Sequence, residues 1–232
     1  MLGIALGAAS AAAVTFAGYS AMAPTSQFYG STFVRGKNPR QLALTYDDGP
    51  NDPHTLHLLD VMAKHDVRAT FFLIGRYVQQ RPQIARAIAQ AGHALGNHTF
   101  THPNLVFCSQ MKTRIQLEEC TRAIEDATGQ TPTLFRPPFG GRRPSTLRIV
   151  RELGLTPVMW NVTGFDWNAH SSEAVERKVS KQVRGGDVIL LHDGSHRGLG
   201  TDRSHTVAAT DRLLARYKSE GCEFVTIPSM AL

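Results

Sequence analysis

The chain has 232 residues, of which 42% are hydrophobic and 19% are charged. This composition is ordinary for a globular protein that buries a substantial core. The net charge is +6, but the basic residues are scattered, with no run longer than Arg142-Arg143 and no interleaved aromatic residues. Such a distribution is typical of a solvated surface and excludes a basic stripe for nucleic acid. We therefore expect no nucleic-acid partner.

The first 35 residues differ from the rest of the chain, because no charged residue occurs before Arg35. Residues 1–17 are rich in Ala, Leu, Ile and Val, and Ala21-Met22-Ala23 has the small-x-small form of a signal-peptidase site. A Lys/Arg region is missing, and Pro24 would become the first mature residue. We predict that residues 1–35 are an uncharged leader, either a signal segment or an anchor that tethers the protein to a membrane through residues 1–23. The protein would then be exported, to the periplasm or outside the cell; a cytoplasmic extension or a misplaced start codon is the alternative.

The three cysteines, Cys108, Cys120 and Cys222, show neither a Cys-x-x-Cys motif nor a Cys/His ligand spacing. Their odd number excludes a fully paired set of intrachain disulfides. Cys108 and Cys120 could form a bridge in an exported protein, although Cys120 lies within a predicted helix, and the sequence leaves this open. Cys222 is predicted to be a small buried residue.

Residues 36–232 form one predicted domain in which short apolar segments alternate with helices. Strands are predicted at residues 42–46, 68–74, 93–97, 134–136, 157–162, 187–191 and 223–227. Cap residues, prolines and helical spacing predict helices that start near Pro53, Pro82, Ser109, Ser145, Ser172 and Thr206. About seven such alternations indicate a mostly parallel sheet. We expect an α/β fold, an irregular (β/α) barrel of TIM type with about seven parallel strands; an open doubly wound sheet is the alternative.

Polar side chains follow five of these strands, at the ends where (β/α) barrels carry their chemistry. These residues are Asp47 and Asp48, His98 and His102, Arg136, Asp166, and His192. The i, i+4 spacing of His98 and His102 would align two imidazoles on one helical turn. Two His and one Asp are the usual ligands of an open catalytic metal site. Zn²⁺ fits this set, Co²⁺ is allowed, and Fe²⁺ oxygenases use the same ligand types.

These segments, in this order, resemble the polysaccharide deacetylases of carbohydrate esterase family 4, the NodB homology domain. The resemblance spans residues 37–227. Its first motif stands as Thr45-Tyr46-Asp47-Asp48-Gly49-Pro50, its second as His98-Thr99-Phe100-Thr101-His102, its third as Arg136-Pro137-Pro138-Phe139 and its fifth as Leu190-Leu191-His192. The fourth motif is partial, because Asp166-Trp167 match but Thr163 stands where an Asp is expected. Each motif is weak alone, whereas five in order at strand ends are a strong signal.

The resemblance implies a metal-dependent deacetylase with defined residue roles. Asp48, His98 and His102 would hold the metal, which polarises the acetyl carbonyl and lowers the pKa of its water. Asp47 would be the general base, and Arg136 would orient it.

The remaining roles implied by the resemblance concern the leaving group and the substrate. His192 would be the general acid that protonates the leaving amine, and pairing with Asp166 would raise its pKa. The backbone N–H of Phe139 would stabilise the oxyanion. Leu190 would line the pocket for the acetyl methyl group, and Trp167 would form a groove wall against a sugar.

The sequence thus predicts a monomeric enzyme with bound Zn²⁺ or Co²⁺ that removes N-acetyl groups from GlcNAc-containing glycans, chitin-type oligomers or peptidoglycan. Three alternatives remain: an O-acetyl esterase acting on xylan, a glycan-binding protein without turnover, and an Fe²⁺ oxygenase. The presence of both a predicted base and a predicted acid disfavours the second. The adjacent Asp pair and the Arg-Pro-Pro-Phe motif have no role in the third.

Overall fold

The computed structural model describes residues 15–231, in which one parallel sheet is surrounded by helices. The strands are β1 (Gln41–Gly49), β2 (Thr70–Leu73), β3 (Ala94–Asn97), β4 (Leu134–Phe135), β5 (Thr156–Pro157), β6 (Val162–Thr163), β7 (Asp187–His192) and β8 (Glu223–Phe224). The helices are α1 (residues 15–22), α2 (His54–Lys64), α3 (Gly75–Gln80), α4 (Pro82–Gln90), α5 (Gln110–Thr128), α6 (Pro144–Glu152), α7 (Ser172–Gln182), α8 (Ser204–Ser219) and α9 (Ile227–Met230). Short 3₁₀ turns lie at Leu105–Phe107, Pro138–Gly140 and Asp166–Asn168.

The paired strands are all parallel and run in the order β5-β4-β3-β2-β1-β7-β6, while β8 pairs with the start of β1. The sheet curls into a half-barrel with helices around it, which confirms the predicted irregular (β/α) barrel. At the β5 end of the sheet, Phe33 continues the pairing. Its N–H donates to the Pro157 carbonyl (2.8 Å), and its own carbonyl accepts from the Met159 N–H (2.7 Å).

The two faces of β1 explain where the polar residues collect. Leu42, Leu44 and Tyr46 belong to the largest apolar cluster, together with side chains of the surrounding helices. Ala43 belongs instead to a smaller cluster on the opposite face. Successive side chains of a strand alternate between faces, so Thr45 and Asp47 follow Ala43 on the inner face. The inside of the half-barrel is therefore apolar at the start of β1 and polar at its end.

One predicted strand is wrong in its extent. Residues 157–162 do not form a single strand, because β5 ends at Pro157 and β6 begins at Val162. Between them the Met159 N–H bonds to Phe33 and the Asn161 N–H bonds to the Val188 carbonyl, so the backbone leaves β4 and crosses to β7. The strand predicted at residues 223–227 is also shorter, since β8 gives way to α9.

The helix caps are partly as predicted. Ser109 caps α5 by accepting from the Lys112 N–H, and Gly129 ends that helix with φ 71°, which confirms both predictions. The Ser145 cap is wrong, because α6 already starts at Pro144 after Arg143. Ser171 rather than Ser172 caps α7.

Only part of the predicted leader lies in the described region. Residues 1–14 fall outside it, and residues 15–22 form α1. Within residues 15–231, no helix is both long enough and apolar enough to span a membrane. Cys108 and Cys120 are buried free thiols, so they do not form the bridge that the sequence left open; Cys222 is a partly buried free thiol.

Candidate active site

The two adjacent carboxylates face the same space because β1 carries a bulge at its end. The pairing of β1 with β2 shifts between Asp47 and Gly49, which leaves Asp48 as an extra residue with φ 74°. A bulge re-aims a side chain that regular alternation would send to the other face. Both carboxylates therefore approach His98, whose Nε2 lies 3.7 Å from Asp47 Oδ2 and 3.6 Å from Asp48 Oδ1.

Asp48, His98 and His102 form a buried cluster whose ligand atoms lie within 4.8 Å of one another. Asp48 Oδ1 is 3.1 Å from His102 Nε2, yet it is buried without a hydrogen bond from any described residue. An unsatisfied buried carboxylate oxygen is costly, and a divalent cation between the three side chains would satisfy it. Two imidazoles and one carboxylate also match the donor set of catalytic zinc sites. This triad is the candidate metal centre of the described chain.

The predicted helical turn between the two histidines is wrong. Thr99 and His102 have φ of 66° and 61°, and residues 98–102 form a loop. Side chains hold this loop in place of helical hydrogen bonds: the Thr99 N–H donates to Asn97 Oδ1 (2.9 Å), and the His102 N–H donates to Thr99 Oγ1 (3.0 Å). The imidazole centroids nevertheless lie 4.9 Å apart, so the spacing brings the two rings together through a loop.

His98 is held in the form that a metal ligand requires. Its Nδ1–H donates to the Arg136 carbonyl oxygen at 2.8 Å, because a carbonyl can only accept, and the Nε2 lone pair therefore faces the carboxylates. Burial lowers the pKa of His98 to about 4, against the opposing effect of Asp47. Burial raises the pKa of Asp48, but its contacts with the imidazoles of His102 and His196 outweigh burial and hold that pKa well below its usual range. At neutral pH the cluster therefore offers a neutral imidazole beside a charged carboxylate.

Asp47, which approaches His98 of the triad, also forms a buried ion pair with Arg136. Arg136 Nη1 donates to Asp47 Oδ1 and to Thr45 Oγ1, each at 2.8 Å. The same guanidinium donates from Nη2 to the Met159 carbonyl (3.1 Å) and lies 4.1 Å from the centroid of the Phe72 ring. This leaves Asp47 Oδ2 as the carboxylate oxygen that faces the triad.

His192, the register partner of Asp47 on β7, forms a second ion pair. Its Nδ1 lies 2.9 Å from Asp166 Oδ1, and Asp166 Oδ2 accepts from the His192 N–H (2.7 Å) and from Thr206 Oγ1 (2.8 Å). Burial lowers the pKa of His192, but the negative charges of Asp166, Asp48 and Asp47 outweigh burial and raise that pKa to about 9. Burial raises the pKa of Asp166, and the interactions with His192 and Thr206 reverse this to a lowered value.

The three predicted substrate-binding residues lie at different depths. Phe139 is 47% exposed, and its ring centroid is 4.7 Å from that of His102. Trp167 is 49% exposed and lies 5.1 Å from the His192 ring. Leu190 is buried on β7, on the same face as His192. The site is therefore open at Phe139 and Trp167 and closed at Leu190.

Thr163 of the incomplete fourth motif forms a local hydrogen bond. Thr163 stands where the family pattern has Asp, and its Oγ1 accepts from the Phe165 N–H at 3.3 Å. A hydroxyl can hold such a turn in place of a carboxylate. The substitution consequently leaves Asp166 and Trp167 in position beside His192.

Two residues that sequence reasoning did not single out lie against the triad. His196 stacks on His102 with ring centroids 4.7 Å apart, and its backbone N–H donates to Asp48 Oδ2 (3.3 Å). Asp193 is buried and bonded to the Thr55 hydroxyl, while its Oδ1 has no hydrogen bond from any described residue. Burial raises the pKa of Asp193 to about 7. The position of Asp193 directly after the strand-end His192 could have indicated its role from the sequence. His196 lies in a loop, and no sequence pattern marks it.

Comparisons with known proteins agree with this geometry. Residues 35–158 match the polysaccharide deacetylase family. A peptidoglycan-N-acetylglucosamine deacetylase from Bacillus cereus is 34% identical over 202 residues, which cover 87% of this chain and 72% of that protein. A chitooligosaccharide deacetylase from Sinorhizobium fredii is 38% identical over 199 residues, covering 83% of this chain and 93% of that protein.

A solved structure extends the agreement to three dimensions. It is the crystal structure of a peptidoglycan N-acetylglucosamine deacetylase in complex with 4-naphthalen-1-yl-N-oxidanyl-benzamide, and it superposes with a TM-score of 0.82 at 34% identity. The match covers 86% of this chain and 92% of that one. Since sequence and fold both match over most of its length, the chain belongs to the polysaccharide deacetylase family.

Proposed function

We propose that this protein is a metal-dependent hydrolase that removes the N-acetyl group from N-acetylglucosamine units of a glycan, either a chitin-type oligomer or peptidoglycan. The observation that carries the proposal is that two ion pairs, Asp47–Arg136 and His192–Asp166, accompany the Asp48-His98-His102 triad, with Asp47 and His192 as register partners on the neighbouring strands β1 and β7. The two relatives described above carry these substrate classes in their names, which supports the choice of glycan.

The triad fits Zn²⁺ best, because two imidazoles and a carboxylate are preferred zinc ligands; Co²⁺ is the second choice. A cation held there would polarise the acetyl carbonyl and acidify water at the site. The low pKa of Asp48 and the neutral His98 support this binding, since neither ligand must lose a proton at neutral pH.

Asp47 is proposed to be the general base. Its Oδ1 is occupied by Arg136, so Oδ2 is the atom that would take a proton from the attacking water. Arg136 fixes the carboxylate and keeps a positive charge beside it. The water oxygen then forms the new bond to the acetyl carbon, and the Phe139 N–H would stabilise the carbonyl oxygen as it gains charge.

His192 is proposed to be the general acid. Asp166 binds Nδ1, which leaves Nε2 to carry the proton toward the substrate nitrogen. An amine is a poor leaving group until it is protonated, so cleavage of the C–N bond needs this proton. The pKa of about 9 keeps the imidazolium available at neutral pH. The products are acetate and the free amine of the sugar.

The glycan would also determine where the enzyme acts. Peptidoglycan lies outside the cell membrane, so this substrate requires export, and we propose that residues 1–35 serve as an uncleaved export segment that remains attached to the domain. Residues 36–232 would be the deacetylase domain.

The test is acetate release from chitopentaose and from peptidoglycan by metal-stripped protein, with and without added Zn²⁺ or Co²⁺. Metal-dependent release of equal amounts of acetate and free amine is expected. Acetylated xylan is the control for an esterase, and activity without oxygen removes the oxygenase alternative. Acetate release from xylan alone would contradict the proposed amidase function, and metal binding without release from any glycan would identify a binding protein.

A further inference from the structure

A buried arginine binds residues 21–26 to the rest of the domain. Arg142 is 1% exposed, and its Nη2 donates to the carbonyls of Ala23 (2.8 Å) and Ser26 (2.7 Å). Its backbone N–H donates to the Ala21 carbonyl (3.0 Å). A buried guanidinium needs acceptors, because its desolvation is costly when donors are left unpaired. These carbonyls supply them, so residues 21–26 are held in a fixed position beside the loop that follows β4.

This N-terminal segment, residues 21–26, forms one wall of an open groove. The groove has a volume of about 380 Å³, which lies within the range of small-ligand sites. The opposite wall comes from the chain between β5 and α7. The residues that line the groove include Met22, Pro24, Thr25, Trp160, Phe165 and Trp167.

Two aromatic side chains that line the groove also contact residues of the candidate active site. Trp167 lies 5.1 Å from the His192 ring, and the Trp160 ring centroid is 5.6 Å from the Arg136 guanidinium carbon. Gly140, next to Phe139, packs between the two walls of the groove, because a Cβ there would lie 3.1 Å from Trp160 Cη2 and 3.4 Å from the Met22 carbonyl oxygen. A glycan whose reacting unit sits at His192 would therefore extend into this groove.

The chemistry of the walls selects a neutral ring with apolar faces. Among the described residues, no lining side chain is charged. Phe165 and Trp167 are each more than two-fifths exposed, and large exposed aromatic rings favour flat apolar partners. A pyranose ring presents C–H groups on its faces and hydroxyls at its rim, and Thr25, which lines the groove, carries a hydroxyl that can bond with the latter.

We propose that the N-terminal segment, residues 21–26, contacts the substrate: it forms the wall of this groove that faces Trp167 and binds the sugar unit next to the one that is deacetylated. The inference rests on the proposed glycan function, and it assigns Met22 and Thr25 a direct role in choosing oligomers over single sugars. Residues predicted from sequence to belong only to a leader thus contribute to substrate binding.

Intrinsic fluorescence tests the proposal directly, because the chain contains two tryptophans and both line the groove. The full chain, loaded with Zn²⁺ and carrying Asp47→Asn to prevent turnover, is titrated with chitopentaose and with N-acetylglucosamine. The oligomer is expected to change the emission at concentrations at least about tenfold lower than the monomer, which corresponds to ~1.4 kcal/mol of extra binding.

A substitution that fills the groove tests the role of the N-terminal segment. In the enzyme with Asp47 intact, Thr25→Tyr is expected to raise KM for chitopentaose about tenfold while changing kcat by less than about twofold, because the groove binds substrate without contacting the reacting atoms. Hydrolysis of 4-nitrophenyl acetate, which has no sugar, should be unchanged. Ser31→Tyr adds the same side chain at an exposed position outside the groove and is the matched control.

The outcomes separate this inference from the proposed function. If chitopentaose is deacetylated but Thr25→Tyr leaves both KM and the fluorescence midpoint at the level of Ser31→Tyr, the groove does not bind sugar and the inference is overturned. If no glycan is deacetylated but the fluorescence titration still responds to Thr25→Tyr, the groove is supported and the proposed hydrolysis fails.

Discussion

The two ion pairs beside the triad differ in the origin of their positive charge. Arg136 carries a permanent charge, and four hydrogen bonds hold its fully buried guanidinium to Asp47, Thr45 and the carbonyls of Val158 and Met159. The charge of His192 instead depends on a proton, and that side chain retains 13% exposure. The Asp47–Arg136 pair thus stays charged throughout, whereas the His192–Asp166 pair loses its positive charge when His192 releases its proton.

This difference matches the two proton transfers that amide hydrolysis needs. A base must keep its geometry while it accepts a proton, and a permanent cation bound to its second oxygen provides this. An acid must lose its proton to the leaving amine and regain it afterwards, which a partly accessible histidine can do. Variants of each pair test whether Asp47 acts as the base and His192 as the acid.

The largest effect is expected for Asp47→Asn. An amide cannot act as the base, so kcat should fall by about 10⁴-fold, at the upper end for loss of a general base. Bound Zn²⁺ should stay near the wild-type amount, because Asp48, His98 and His102 are unchanged; elemental analysis beside acetate release measures both. Asp60→Asn, on the exposed side of α2, is the matched control. Loss of the metal in Asp47→Asn would mean that the roles of Asp47 and Asp48 are exchanged.

Arg136→Met is expected to lower the free energy of unfolding by about 3–5 kcal/mol, because removing one partner of a buried pair leaves the other charge uncompensated. Urea denaturation measures the loss. The double variant Arg136→Met/Asp47→Asn should be less destabilised than the sum of the single variants, since the unpaired carboxylate is then gone. Additive effects would show that Arg136 stabilises the fold without coupling to Asp47.

Asp166→Asn is expected to lower kcat by about 10²-fold and to change its pH dependence. In the wild type, activity should fall as pH rises through about 9, where His192 loses its proton. A bound cation offsets the contribution of Asp48, so the observed limit lies at or below this value. Without Asp166, burial lowers the pKa of His192, and the alkaline limit moves to lower pH. An unchanged limit in a kcat profile from about pH 6 to about pH 10 would remove His192 as the acid.

The same pair should affect stability with a definite sign. The pKa of His192 is raised on folding from an unfolded value of about 6.5, so its stabilising contribution is complete below that pH and is lost as pH rises through about 9. The difference in unfolding free energy between wild type and Asp166→Asn should accordingly shrink over this interval.

Much of the site follows from topology that the sequence already indicates. The ends of parallel strands meet at one edge of a sheet, so polar residues after β1, β3, β4, β6 and β7 were expected to converge, and they do. The distances among Asp48, His98 and Arg136 could not be predicted in the same way. They depend on the bulge at Asp48 and on the loop after β3, which are set by pairing with β2 and by the side chain of Asn97.

The N-terminal segment shows a second limit. Its composition indicates a leader, because it is apolar and uncharged. Its attachment to the domain depends on the backbone carbonyls of Ala21, Ala23 and Ser26. Every residue carries a backbone carbonyl, so the sequence does not show which of them accept hydrogen bonds. The only sequence signal was Arg142, which the pattern assigned to a solvated surface and which the structure buries.

The smallest effects on kcat are expected when the threonine that hydrogen-bonds to each ion pair is replaced. Thr206 donates its hydroxyl to Asp166 Oδ2, so Thr206→Val removes one hydrogen bond, worth about 1 kcal/mol, and should lower kcat about fivefold with KM unchanged. Thr206→Ser keeps the hydroxyl and should retain wild-type activity.

Thr45→Val removes the corresponding bond to Arg136, whose three other acceptors remain, so its effect on kcat should be smaller still. A larger loss in Thr45→Val than in Thr206→Val would mean that the Arg136 pair, rather than the His192 pair, is the less rigidly held of the two.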